Sequence, residues 1–114
     1  MTNDDEIRRH DGPLLVLTTW PDAEGARELA RSLLHQRLAA CINILPPMTS
    51  IYTWNGSEES GEEHQVFIKT TSARFDAVRD VVTKTHPYEL AELIAVPIVG
   101  GLPAYLQWID ESTS

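Results

Sequence analysis

The sequence predicts a single α+β domain in which two helices are inserted among four strands in the order β-α-β-β-α-β. Three observations carry that prediction: a short, continuously apolar run near the N-terminus, two separate stretches whose apolar residues recur at helical spacing, and a long β-branched and aromatic segment interrupted by two prolines. At 114 residues, with 42% hydrophobic content, the chain has the size and composition to build one core without disulfides.

Leu14 to Leu17 is apolar throughout, bounded by Pro13 before it and Trp20-Pro21 after it, which suits a strand buried on both faces. Asp22 is placed as an N-cap. Behind it Ala26, Leu29, Ala30, Leu33 and Leu34 fall on one helical face, while Glu24, Arg27, Glu28 and Arg31 fall on the other. From Ala39 to Trp54 the residues turn β-branched and aromatic. Pro46-Pro47, which cannot donate to a ladder, predict a bulge or kink in one long strand. Gly56 to Gly61 reads as a mobile polar loop leading to a strand around Val66-Phe67-Ile68, so that the two strands form an antiparallel hairpin. Ser72 is expected to cap a second helix with Phe75, Val78 and Val82 on one face. His86-Pro87 stops it, because the residue before a proline avoids the α region. Leu93 to Val96 reads as the fourth strand, and after Gly100-Gly101 a short closing helix over Leu102 to Glu111 is expected to turn Leu102, Tyr105, Leu106 and Ile109 inward.

This order fits the split βαβ, or ferredoxin-like, sandwich: a four-stranded antiparallel sheet with two helices on one face, plus the short C-terminal helix. The domain is expected over residues 13–114, preceded over residues 1–12 by a polar, charged tail that reads as disordered. Strands two and three are too long and too apolar to leave the other face of the sheet wet, so the sequence predicts association between copies.

A formal net charge of −8 and a pI of about 4.8 oppose roles that depend on neutralising a phosphate backbone, which need clustered Lys and Arg. An RNA-binding sheet of the same topology also lacks its basic and aromatic strand signature. The lone cysteine, Cys41, forms no intrachain disulfide and suits a reducing compartment. No stretch of some twenty apolar residues and no signal-like segment appears. The expectation is a soluble, cytoplasmic protein with neither nucleic acid nor membrane as partner.

Several segments carry a resemblance: Leu38-Ala39-Ala40-Cys41-Ile42-Asn43, Ser50-Ile51-Tyr52-Thr53-Trp54-Asn55-Gly56, Ile68-Lys69-Thr70, His86-Pro87-Tyr88-Glu89 and Tyr105-Leu106-Gln107-Trp108. In order and spacing, from about Leu14 to Glu111, they resemble the CutA family of divalent-cation tolerance proteins. The resemblance implies a homotrimer of ferredoxin-like subunits, similar in architecture to the nitrogen-regulatory PII-type proteins, whose long hairpins add strands to neighbouring sheets. It also implies a link to copper and other divalent metals. Some members carry a cysteine in the first strand and a histidine pair before the proline, where this chain has Thr18 and Thr85-His86, so a copper ligand set does not transfer whole.

Cys41 is a candidate soft-metal thiolate, with a small core residue as the alternative. His86 is a candidate metal ligand, the alternative being a turn histidine that caps the last helical carbonyls. A three-fold assembly could gather one of either from each copy. Glu58, Glu59, Glu62, Glu63 and His64 read as a solvated acidic turn, or in the alternative as a loose site for a hard divalent ion. His64 stands where the family usually has an apolar residue, and nothing is assigned to it. Tyr52, Trp54, Lys69, Tyr88, Glu89 and Trp108 are expected to line clefts between subunits, as ligand walls or as interface packing.

The function these readings predict is a trimeric, metal-responsive binding or signalling protein that holds copper, another divalent metal or a small ligand in the clefts, with no organic cofactor. The alternative is an enzyme at the same clefts, with His86 or Glu89 as general base and Lys69 stabilising negative charge. No nucleophile elbow, phosphate loop or metalloenzyme motif in the sequence supports the enzyme, so a non-catalytic role is expected.

Overall fold

The apolar run near the N-terminus lies inside the sheet, paired on both sides. In the computed structural model, which describes residues 11–114, it extends over Pro13–Trp20 (β1). There follow α1 (Ala23–His35), β2 (Cys41–Trp54), β3 (Ser57–Thr71), a 3-10 turn (Ser72–Arg74), α2 (Phe75–Thr85), β4 (Ile94–Pro97) and α3 (Pro103–Ser112). The strands lie in the order β2-β3-β1-β4, every pairing antiparallel. The ferredoxin-like reading of the sequence therefore holds. The tail expected over residues 1–12 falls mostly outside the described residues. Gly12, at its end, donates its N–H to Ser72 Oγ at 3.1 Å and accepts from Ser72 N at 2.8 Å.

Strand parity builds the core. Leu14, Val16 and Thr18 on β1 and Val66, Ile68 and Thr70 on β3 are fully buried, and they share one face because side chains alternate along a strand. Ala26, Leu29 and Leu33 of α1 and Phe75, Val78 and Val82 of α2 close over that face. Leu34, placed on the same helical face by the sequence, is 47% exposed. The two threonines on this face place their hydroxyls on backbone carbonyls, Thr70 Oγ1 on Leu38 O at 2.6 Å and Thr18 Oγ1 on Glu92 O at 2.7 Å. Burial therefore leaves neither hydroxyl unpaired.

Helix α1 begins as expected, with Asp22 Oδ2 accepting from Gly25 N at 2.8 Å. It ends in a Schellman arrangement, with Leu38 N on Leu33 O and Arg37 N on Leu34 O, and Arg37 takes the left-handed position at φ 57°. Glycine is the usual residue there. The arginine's guanidinium instead reaches the C-terminal end of α3, where Nη2 donates to Glu111 O at 2.8 Å and Nε donates to Ser114 O at 3.1 Å.

Three local expectations are corrected. The polar stretch from Gly56 to Gly61 is not a loop, because Asn55 and Gly56, at φ 51° and 79°, make a two-residue turn and β3 starts at Ser57. Ser72 does not cap α2; its hydroxyl serves Gly12, and the helix is entered through the 3-10 turn without a side-chain cap. In α3 only Ile109 of the four residues expected inward is buried, whereas Leu102 is 71% exposed. The Pro46-Pro47 irregularity is present as a register shift between Ile44 and Pro47, with Leu45 and Pro46 standing opposite Gln65 alone.

Gly25 gives a direct test of packing at the start of α1. A Cβ there would stand 2.5 Å from Trp20 Nε1 and 2.8 Å from its Cδ1, and Trp20 is itself buried. Helix propensity alone favours alanine over glycine by about 1 kcal/mol. We expect Gly25→Ala to destabilise instead, by about 1–3 kcal/mol as for other overpacked sites. Chemical denaturation reads the sign, and a stabilised variant would refute the packing.

Candidate functional site

The two-residue turn and the register shift together decide what the hairpin presents. Beyond the shift, Met48 pairs with Glu63, Ser50 with Gly61, Tyr52 with Glu59 and Trp54 with Ser57. Ser50, Tyr52 and Trp54 therefore share a face with Glu63. Ser50 Oγ donates to Glu63 Oε1 at 3.0 Å, diagonally across the ladder.

Opposite this stem runs the segment from His86 to Glu92, which the chain fastens at both ends. His86 Nε2 donates to Thr19 O at 2.6 Å, and its Nδ1 accepts from Tyr88 N at 3.0 Å. These two bonds define a neutral tautomer with the proton on Nε2. The ring is also packed between Trp20 and Tyr88, with centroids 4.3 and 4.7 Å away. At the other end Glu92 O accepts from Thr18 Oγ1, and Gln65 Nε2 donates both to Glu92 Oε2 at 3.0 Å and to Thr18 O at 2.8 Å. Proline at 87 removes a donor and fixes φ between the two anchored ends.

A cleft of about 660 Å³ opens between stem and segment, bordered by Tyr52, Trp54, Glu63, Tyr88, Glu89 and Glu92. Glu63 is held from both sides, because Tyr88 Oη donates to its Oε2 at 3.1 Å while Ser50 holds Oε1. Partial burial of the phenol, then the hydrogen bond and the nearby charge of Glu63, push Tyr88 from its ordinary 10.0 up to about 12. The phenol is therefore a donor throughout the neutral range. Glu89 has no hydrogen-bond partner among the described residues.

The six residues expected to line clefts between subunits fall into two groups within a chain. Tyr52, Trp54, Tyr88 and Glu89 border the cleft between stem and segment. Lys69 and Trp108 lie with Tyr105 instead, where Lys69 Nζ donates to Tyr105 Oη at 3.2 Å and the Tyr105 and Trp108 rings are 5.3 Å apart. Of the alternative catalytic set, only Glu89 borders the cleft. Cys41 stands at the start of β2, half-buried and paired in register with Lys69, with Sγ 4.0 Å from Asn43 Oδ1. His86 has both ring nitrogens engaged, so metal ligation there would displace either the Tyr88 amide or the Thr19 carbonyl. No group of three or more His, Cys, Asp or Glu side chains among the described residues is gathered as metal ligands are.

Sequence reasoning assigned Glu63 to an acidic tip and passed over Ser50 and Glu92. Counting back from Asn55-Gly56 as a two-residue turn places Glu63 diagonally across from Ser50. His64 also has a role: its Nδ1–H donates to Leu45 O at 2.7 Å, which satisfies a carbonyl at the irregularity.

The Tyr88–Glu63 bond has a readable consequence at alkaline pH. Because the folded-state value is raised, Tyr88 contributes stability in full below pH 10 and loses it as pH rises from 10.0 towards about 12. Ultraviolet titration of the three tyrosines should show one ionising near pH 12, and Glu63→Gln should bring it back towards 10.0. Three coincident titrations in the parent chain would rule the bond out.

The geometry can be set beside known proteins. A family described as CutA1 divalent ion tolerance protein matches residues 14–112. The divalent-cation tolerance protein CutA of Thermus thermophilus is 42% identical over 99 residues, which are 87% of this chain and 96% of that protein. A solved structure of the Thermus thermophilus protein superposes with a TM-score of 0.87 at 41% identity, over 90% of this chain and 99% of that one. CutA from Xylella fastidiosa gives 0.86 at 39% identity, over 90% and 98%. Protein CutA of Mus musculus is 44% identical over 98 residues, 86% of this chain, which spans only 55% of that protein's length. No helix among the described residues is long and apolar enough to cross a membrane. With the family pattern running from the start of the first strand to the end of the last helix, and solved members superposing on the same sheet, the chain belongs to the CutA1 divalent ion tolerance family.

Proposed function

We propose that the chain acts as a trimeric divalent-cation tolerance protein, responding to metal ions by binding copper, another divalent metal or a small ligand at the seams between copies. It does so in the cytoplasm and as a binding or signalling protein rather than an enzyme. The observation that carries this reading is the face of the sheet turned away from α1 and α2. Leu15, Leu17 and Phe67 are only half-buried there, and Ile94 and Val96, opposite Leu17 and Leu15, are 53% and 46% exposed. Helix α3 lies against β1 and β3 but leaves Leu102, Tyr105 and Trp108 outward. An apolar surface of this continuity marks an interface.

The edges agree with that reading. Strands β2 and β4 bound the sheet, and β2, at fourteen residues, has unpaired backbone groups along its outer side. Three copies joined edge to edge, as in PII-type trimers, would close such edges and bring hairpin, segment and C-terminal helix of different copies together. The divalent-cation tolerance in this reading follows the Thermus thermophilus relative, a divalent-cation tolerance protein. For the metal, Cys41 is the better donor in this proposal, since His86 would first give up a hydrogen bond. One chain supplies one thiol, so a thiolate site with more than one sulfur draws on neighbouring copies.

Light scattering of the full chain should return three times the 12.8 kDa of the single chain. A stable particle of 12.8 kDa would defeat the proposal. Calorimetric titration of the metal-free assembly with Cu(II) and with Zn(II) should give saturable heat, and Cys41→Ser should weaken copper at least about tenfold, roughly 1.4 kcal/mol, without altering the mass.

A further inference from the structure

We propose that the cleft between the hairpin stem and the His86–Glu92 segment is a site for an organic ammonium cation. The inference rests on the reading that the clefts bind a ligand, and it names that ligand's chemistry.

The walls determine the charge. Three rings, Tyr52, Trp54 and Tyr88, border the cleft together with three carboxylates, Glu63, Glu89 and Glu92, and no Lys, Arg or His borders it among the described residues. Aromatic faces carry negative potential and attract a cation placed over them, most strongly where it is partly desolvated. Carboxylates in the same wall add Coulomb attraction, and an anionic or phosphorylated ligand would meet repulsion with no compensating base. At about 660 Å³ the cleft falls within the range of small-molecule sites, about 300–1,000 Å³.

The distribution of the groups favours an organic cation over a bare metal ion. A hard divalent ion needs six to eight oxygens converging at about 2.3–2.6 Å. Glu63 already has Ser50 and Tyr88 on its two oxygens, and Glu92 has Gln65 on one. An ammonium group carrying alkyl substituents makes no such demand. Its charge is spread over a larger surface and is matched by rings and carboxylates dispersed around it.

The site is also built in advance. Tyr88 is located by its amide on His86, by ring contact with His86, and by its hydroxyl on Glu63, so one wall is set before any ligand arrives. Preorganisation of this kind raises affinity by removing the cost of ordering the wall.

The test uses the full chain in its native assembly. Choline chloride is titrated against it by calorimetry and by tryptophan fluorescence, with sodium chloride at matched ionic strength and with 3,3-dimethyl-1-butanol, the neutral carbon isostere of choline. We expect saturable choline binding, at least about tenfold weaker for the isostere. Glu89→Gln and Tyr52→Ala should each weaken choline several-fold, while Glu58→Gln, outside the cleft, should not. Absence of choline binding above the salt control overturns the inference, including the case in which a neighbouring copy's basic side chain already fills the cleft. Equal binding of the isostere overturns the assignment of charge, and unchanged binding in Glu89→Gln and Tyr52→Ala overturns the location. The same sample is weighed by light scattering and titrated with Cu(II). A trimer that binds copper but not choline refutes this inference alone, and a monomer refutes the assembly while the choline titration is still read.

Discussion

Two residues of β2, Leu45 and Pro46, stand opposite the single residue Gln65 of β3, and the facing of every side chain beyond them in the hairpin follows from that. Strand parity has a period of two, so one added residue exchanges the faces of β2 from that point on relative to its own beginning. Without it, Ser50, Tyr52 and Trp54 would fall on the face opposite Glu63, and the cleft would lose two of its rings. The irregularity is tolerated because its backbone groups are accounted for. Pro46 and Pro47 have no N–H to leave unpaired, and Leu45 O receives the Nδ1–H of His64. A buried carbonyl left without a partner would cost about 1–3 kcal/mol. Proline in the ladder and histidine across from it are therefore two halves of one local solution.

The segment that faces the hairpin depends on a second constraint, the end of α2. His86-Pro87 stops the helix and turns the chain along the end of β1 and past Gln65 of β3. The imidazole then ties β1 to the new direction through Thr19 O and Tyr88 N. Its position between Trp20 and Tyr88 links the packing under α1, where Gly25 admits the indole, to the wall of the cleft. Within the chain the imidazole has both ring nitrogens engaged, and so it fixes where the segment leaves the helix.

Much of this was legible in the sequence, for identifiable reasons. The order of elements, the N-cap at Asp22, the helix-facing residues Phe75, Val78 and Val82, and the break at Pro46-Pro47 are local signals with strong physical meaning, and each appears in the structure. The errors arose where two local signals competed. The glutamates after Gly56 suggested a loop, but Asn55-Gly56 satisfies the positive-φ turn so well that the strands begin at once, and charged side chains are no obstacle on an exposed ribbon. Ser72 has the composition of a cap, yet a residue distant in sequence, Gly12, claims its hydroxyl. The cleft needed register as well as residue type, so Glu63 and Ser50 could be found only by counting back along both strands from the two-residue turn.

Register also explains why those six residues fall into two groups within one chain. Glu63 and Lys69 lie on the same face of β3, six positions apart, which at about 3.3 Å per residue separates them by roughly 20 Å. A small ligand cannot touch both ends within one chain. Lys69 is moreover engaged with Tyr105, at the end of the face that α3 partly covers, whereas the cleft lies beyond the other end of the core. The family match over residues 14–112 nevertheless spans both groups, and the single chain leaves apolar surface around each. The carboxylate-rich cleft and the lysine held over an aromatic ring thus stand at opposite ends of one open face, and the charge of Lys69 does not reach the cleft within its own chain.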